Sequence, residues 1–155
     1  MRVQNREVKD FSNIIDILSR CDTLSIGLVN DNCPYVVPVS FGFHVDENGK
    51  VHIYFHCAKE GMKIECIKAN SKVCVEGHIF HKIEPLKHGI TTRYESIIGM
   101  GTARELYGNE KKEGLLRICE KYGYDDYNID ECKGMDAASV YDVALEKITG
   151  KRNLA

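Results

Sequence analysis

The chain has no tryptophan, only three prolines, and no excess of either charge: 21 Lys and Arg stand against 23 Asp and Glu. That balance supplies no basic footprint for nucleic acid. No apolar run approaches the roughly 18 residues a membrane span requires. The opening MRVQNREVKD lacks the apolar core of a signal peptide, so a cytoplasmic protein without membrane or nucleic-acid partners is expected. No CxxC pair occurs among seven cysteines, and the spacings Cys57–Cys66 and Cys66–Cys74 are too wide for a zinc knuckle. The cysteines therefore read as reduced thiols, several buried, with no structural metal. No repeat, low-complexity tract or linker divides the sequence, so residues 1–155 read as one domain with a helical insert towards the C-terminus. A 43% hydrophobic and 28% charged composition excludes a disordered chain.

What is present is periodic. Phe11, Ile14, Ile15 and Leu18 recur at i, i+3, i+4 and i+7, one face of an amphipathic helix that Asp10 or Ser12 can cap and that should end near Arg20–Asp22. Leu24–Val29 reads as a strand before the turn cluster Asn30-Asp31-Asn32. Tyr35, Val37, Val39, Phe41 and Phe43 alternate with smaller or polar residues, which predicts one strand across this span. Asp46–Gly49 looks like a hairpin turn with Gly49 at positive φ. Beyond it, Val51, Ile53 and Phe55 share one strand face, and His52, Tyr54 and His56 the other. Lys59-Glu60-Gly61 interrupts, and Met62–Ala69 is helical in character. Lys72–Phe80 and Thr91–Leu106 read as strands, with Gly99 and Gly101 marking a bulge or a close backbone approach. Glu110–Tyr122 should be a helix turning Leu115, Leu116, Cys119 and Tyr122 inward, and Val140–Ile148 a last strand. About six strands, mostly hairpin-linked and flanked by three helices, argue for a mainly β antiparallel barrel rather than a βαβ fold.

Three stretches carry residues suited to chemistry. The run Tyr54-Phe55-His56-Cys57-Ala58-Lys59-Glu60-Gly61-Met62-Lys63 passes from a strand through a turn into a helix start. Backbone N–H groups there, with Lys59 and Lys63, suit a phosphate; a solvated lysine-rich turn is the plainer alternative. His56 can deliver a proton near neutral pH or serve only as a hydrogen-bonded structural residue, and Cys57 reads as packing. Pro38 cannot donate to a ladder, so its strand is a protected edge or lies against a flat aromatic ligand. Arg93 can grip a phosphate or carboxylate through two N–H groups, or pair with Glu95 at the surface, and Ser96 is a small polar donor. Gly99-x-Gly101 lacks the third glycine and the following helix of a dinucleotide fingerprint. His78 and His81, three apart on a strand, should diverge and are not read as ligands of one metal.

Taken in order, an N-terminal helix and the segments PYVVPVSFGF, VHIYFHCAKEGMK, TTRYESIIGMGTA and EKITGKR resemble the pyridoxamine 5′-phosphate oxidase-like FMN-binding split-barrel superfamily, over roughly residues 1–153. Within it the chain is most similar to the nitroimidazole-resistance branch. The resemblance implies a six-stranded antiparallel split β-barrel with flanking helices, forming a homodimer with FMN, FAD being possible, at each of two sites on the subunit interface. It implies that Val37, Pro38, Val39 and Ser40 run beside the isoalloxazine ring. Phe55, His56, Cys57 and Ala58 would line the ribityl chain and ring edge, with Lys63 on the phosphate and Lys59 in the same cradle. Ser96 and Ile97 would come from a later strand, and Arg93 would lie near the phosphate. His56 falls where this branch carries its candidate reactive histidine. Met62 departs from the family's frequent basic residue and leaves fewer charges for the phosphate. Gly150-Lys151-Arg152 does not match the clustered arginines and histidine of true pyridoxamine phosphate oxidases. The implied activity is a flavin-dependent oxidoreductase passing electrons from NAD(P)H to a nitroaromatic or similarly electron-poor small acceptor. Flavin sequestration or sensing without turnover, and haem binding on the same barrel, are the alternatives.

Overall fold

The computed structural model describes residues 3–154. A short strand β1 (Glu7–Val8) precedes α1 (Phe11–Arg20), and the Asp10 carboxylate caps that helix by accepting the Ser12 and Asn13 N–H groups. Ile14, Ile17 and Leu18 of α1 are buried, while Phe11, expected on the same face, lies exposed at the first turn. There follow β2 (Leu24–Asn30), β3 (Cys33–Val39), β4 (Gly42–Val45), β5 (Val51–Ala58), α2 (Met62–Ala69), β6 (Lys72–Leu86), β7 (Gly89–Leu106), α3 (Gly108–Lys121) and β8 (Ala138–Asn153). Gly49 closes the β4–β5 hairpin at φ 78°, as the Asn-Gly pair predicted.

All neighbouring strands are antiparallel, in the order β3-β2-β6-β7-β8-β5-β4, with β1 added at the end of β8. Alternation sends Leu24, Ile26, Val75, Ile97, Ile53, Phe55 and Val143 into one core, which α1 covers with Ile17 and Leu18. A second core forms on the outer side of β5 and β8, where Leu115 and Ile118 of α3 cover Tyr54, Leu106 and Val140. β5 is thus covered on both faces along most of its length, which is why Tyr54 is as buried as its neighbours.

The period-2 run from Tyr35 to Phe43 is not one strand. It breaks at Ser40–Phe41, so that β3 pairs only with β2 and β4 only with β5, at opposite edges of the sheet. The cause comes from α3. The Tyr122 hydroxyl accepts the Phe41 N–H at 3.2 Å and donates to the Asp22 carbonyl at 2.7 Å, which takes that amide out of either ladder. Gly42 follows because the Arg117 backbone of α3 lies against it, and a Cβ there would overlap the carbonyl. This break and β1 account for eight strands among the described residues where six were expected. The resulting sheet, curved but open between β3 and β4, is a split barrel.

β6 and β7 extend past the expected end at Phe80 and form a two-stranded ribbon to the turn at Lys87–His88, with a register shift between Phe80 and Lys82. A second shift at Met100–Gly101 meets the expectation of a bulge there. Among the described residues no helix is long and apolar enough to cross a membrane.

Candidate functional site

The corner where β5 runs into α2 is built from short-range chemistry. Gly61 adopts φ 123°, a conformation that side chains disfavour, and forms the N-cap of α2 without any side-chain cap. The first amides of α2, at Met62 and Lys63, therefore remain for an outside acceptor, at the positive end of the helix. The Lys63 ammonium lies 5.7 Å from the centroid of the Phe55 ring. Phe55 in turn stacks on Tyr141 of β8, with centroids 5.4 Å apart and planes 13° apart.

Cross-strand pairing fixes which side chains share this face. Cys57 stands opposite Ser139, and Phe55 opposite Tyr141, which itself stands opposite Glu105 of β7. Ser139 donates to the Glu105 carboxylate at 2.6 Å, and Tyr107 donates to it at 2.8 Å. The Ser139 hydrogen bond, outweighing burial and helped by Tyr107, Lys68 and Lys111, holds Glu105 below its usual carboxylate range. Burial pushes the Cys57 thiol up, with the Lys63 charge opposing and Glu105 adding. Burial, reinforced by Glu105, likewise pushes the Tyr141 phenol up to about 12. At neutral pH this face thus presents, beside Lys63, a fixed carboxylate, a neutral thiol and a neutral phenol.

His56 belongs to the opposite face. It pairs across the sheet with Val140, whose side chain packs under α3, and it is exposed at the strand end rather than facing Lys63. Ala58 and Lys59 are exposed in the turn that leads to Gly61. Val37, Pro38 and Val39 lie on the edge strand, paired with Ile26, Ser25 and Leu24. Pro38 and Ser40 are exposed, Val37 is half-buried, and Val39 is buried. Pro38 sits on an edge strand, as its missing donor required.

Arg93, Ser96 and Ile97 occupy the distant half of β7. Twelve residues separate Arg93 from Glu105, about 40 Å along an extended strand. Arg93 bonds Glu84 through Nε at 2.5 Å and approaches Asn153, so the alternative of an Arg93–Glu95 surface pair does not form. Ser96 is half-buried opposite His78 and Lys151, and the Ile97 side chain is fully buried in the core. One chain brings Phe55, Cys57 and Lys63 together beside the exposed turn of Ala58 and Lys59. It does not bring Arg93, Ser96 or Ile97 to them.

The family model described as pyridoxamine 5′-phosphate oxidase matches residues 10–152. The chain belongs to that family. No curated protein matches the chain. Among solved structures, a candidate 5-nitroimidazole antibiotic resistance protein from Bacteroides thetaiotaomicron is 28% identical, with a TM-score of 0.80 over 94% of this chain and 85% of that one. The flavocytochrome Anf3 from Azotobacter vinelandii superposes with a TM-score of 0.82 at 15% identity, covering 100% of this chain and 72% of that one. A FAD-binding protein from Mesorhizobium loti gives 0.69 at 18% identity, over 96% and 97% of the two chains. The last two likenesses establish the split-barrel fold of the family and nothing more.

Two residues to which the sequence assigned no such role prove central to the architecture. Glu95, almost fully buried, accepts from Arg20 of α1 at 2.9 and 3.0 Å, from Arg152 of β8 at 2.6 Å and from His81 of β6 at 3.1 Å. Tyr122 ties α3 to the β3–β4 break. Glu95 sits at an inward position of an alternating strand, a signal the sequence does carry: a carboxylate at a core position needs cationic partners. Tyr122 has no such signal. Among the described residues no group of three or more His, Cys, Asp or Glu side chains could hold a metal, and His78 and His81 turn to different partners, Glu76 and Glu95.

Proposed function

We propose that this protein is a flavin-dependent oxidoreductase that holds FMN at the β5–α2 corner. The observation that carries the reading is the uncapped N-terminus of α2 behind Gly61, flanked by Lys59 and Lys63 and continuous with the end of β5. This arrangement fits a phosphate ester: two free amides, the positive end of a helix and two lysines stand in one turn, and among the described residues neither lysine forms an ion pair. A bound flavin supplies hydride acceptance from NAD(P)H and onward electron transfer to a small electron-poor acceptor such as a nitroaromatic. The chain's own part is to grip the phosphate with Lys63 and the Met62 and Lys63 amides and to offer the exposed backbone beside Pro38 to a flat ring. His56 delivers a proton to the acceptor from the outer face of β5. Flavin- and haem-binding proteins among the structural neighbours are consistent with a cofactor on this fold.

The proposal includes a homodimer. Val29 and Val36 on β2 and β3, and Ile98 and Met100 on β7, are 44%, 62%, 46% and 51% exposed. Register sets them in one patch, because Val36 pairs with Gly27, Gly27 with Cys74 and Cys74 with Met100. Such an apolar sheet face fits a second copy. A second copy also offers a route for the remote Arg93 and Ser96 to reach a neighbour's flavin. A specific observation favours the second reading, flavin binding without turnover: His56 and Lys63 lie on opposite faces of β5.

The test is an anaerobic titration of the purified flavoprotein. Twin absorption bands near ~370 and ~450 nm signal flavin, while a single sharp band near ~400 nm signals haem. Bleaching by NAD(P)H followed by reoxidation with a 5-nitroimidazole supports the oxidoreductase. Bleaching without reoxidation leaves sequestration, and a colourless protein that takes up no added FMN refutes the cofactor. A monomer in sedimentation with flavin bound refutes the dimer.

A further inference from the structure

At the end of β8 remote from α2, the N-terminal segment, the β6–β7 ribbon and the C-terminal residues line an open cavity of about 790 Å³. That volume lies in the range of small-molecule sites. Four cationic side chains line it: Arg6 and Lys9 from the N-terminal segment, Arg93 from β7 and Arg152 from β8. Two carboxylates oppose them, Glu7 and Asp10, and the Asp10 carboxylate is already engaged by the first turn of α1. Arg93 spends Nε and Nη2 on Glu84, whereas its Nη1 reaches only Asn153, at 3.4 Å. Arg152 gives Nε to Glu95, and its Nη2 stands 4.0 Å from Asp16. A guanidinium carries five N–H donors, so both keep some beyond their internal partners. Tyr94, next along β7, meets one cavity residue, Arg6, and also Lys151, which does not line the cavity. Burial alone would raise its phenol, yet Lys151 and Arg6 together hold it below its ordinary range.

We propose that this cavity binds a small molecule through an oxyanion, a phosphate or a carboxylate, gripped by Arg6, Lys9 and the free N–H groups of Arg93 and Arg152. Charge-assisted bonds from guanidinium groups suit a planar or tetrahedral oxyanion, and three separate chain segments converge to make them. Within one chain the site stands apart from Lys63 by most of the length of β7, so it does not share the β5–α2 corner.

Pyrophosphate and malonate, titrated calorimetrically into the full chain at low ionic strength, test the assignment. At least one probe should bind the unaltered protein and the Lys63→Ala variant alike. The double substitution Arg6→Gln, Lys9→Gln should weaken it about tenfold or more, and about 0.5 M NaCl should shrink that difference. Preference for pyrophosphate identifies a phosphate ligand, and preference for malonate a carboxylate. Arg93→Lys, which keeps the charge but loses the fork, should weaken the preferred probe. Neither probe binding at millimolar concentration, equal binding by the double variant, or loss of binding in Lys63→Ala would each overturn the proposal.

Discussion

Replacing Glu95 by glutamine keeps the shape of the side chain and removes its charge. The carboxylate is 2% exposed and accepts from Arg20, Arg152 and His81, which tie α1, β8 and β6 to β7. The Arg20 hydrogen bonds, outweighing burial and joined by His81 and Arg152, lower its pKa from 4.5 to about 2. At about 1.36 kcal/mol per unit, that depression corresponds to about 3 kcal/mol of folding stability. Arg20, Arg152 and His81 are themselves 40%, 31% and 35% exposed, so solvent screening reduces the contribution. The expected cost of Glu95→Gln is then about 2 kcal/mol, or about 4–8 °C in melting temperature for a chain this size. Because the folded pKa lies below the unfolded one, the contribution is complete above about pH 4.5 and disappears as pH falls towards 2. Urea denaturation of both proteins between pH 7 and pH 2.5, flavin-free and at one fixed protein concentration, should show a gap that closes on acidification. A gap at pH 3 as wide as at pH 7, or one below about 0.5 kcal/mol throughout, refutes the hub as an electrostatic element.

Lys63→Ala removes the one ammonium that lies over Phe55 and should weaken FMN about tenfold to a hundredfold, read from flavin retention on dialysis, since a charge-assisted bond contributes roughly 1.5–3 kcal/mol. His56→Ala should leave flavin bound and reducible by NAD(P)H while slowing transfer to the acceptor by roughly 10²–10⁴; loss of flavin at unchanged activity per bound flavin would make it a ligand only. Tyr122→Phe strips the hydroxyl from the Phe41 amide and the Asp22 carbonyl and should cost about 1–3 kcal/mol in chemical denaturation, with the loss centred on α3 in hydrogen exchange.

Local rules alone account for a good part of this molecule. The Asp10 cap, the Gly49 turn, the edge position of Pro38 and the inward alternation of Val51, Ile53 and Phe55 all follow from chemistry acting over a few residues. The order of the motifs likewise carried the family, matched over residues 10–152. Tertiary structure decided what neighbours in sequence cannot. The break at Ser40–Phe41 needs a hydroxyl from Tyr122, 81 residues beyond Phe41, so periodicity read straight through it. Glu95 shares a strand face with Arg93, yet Glu84 of β6 takes the Arg93 guanidinium, and the partners of Glu95 arrived from 75 and 57 residues away. Strand alternation separated His56 from Lys63 although both stand in one motif. Sequence spacing sets the conformation of a strand and which of its residues share a face. Which other strand or helix covers that face depends on contacts closed over long loops, and only the folded chain determines those.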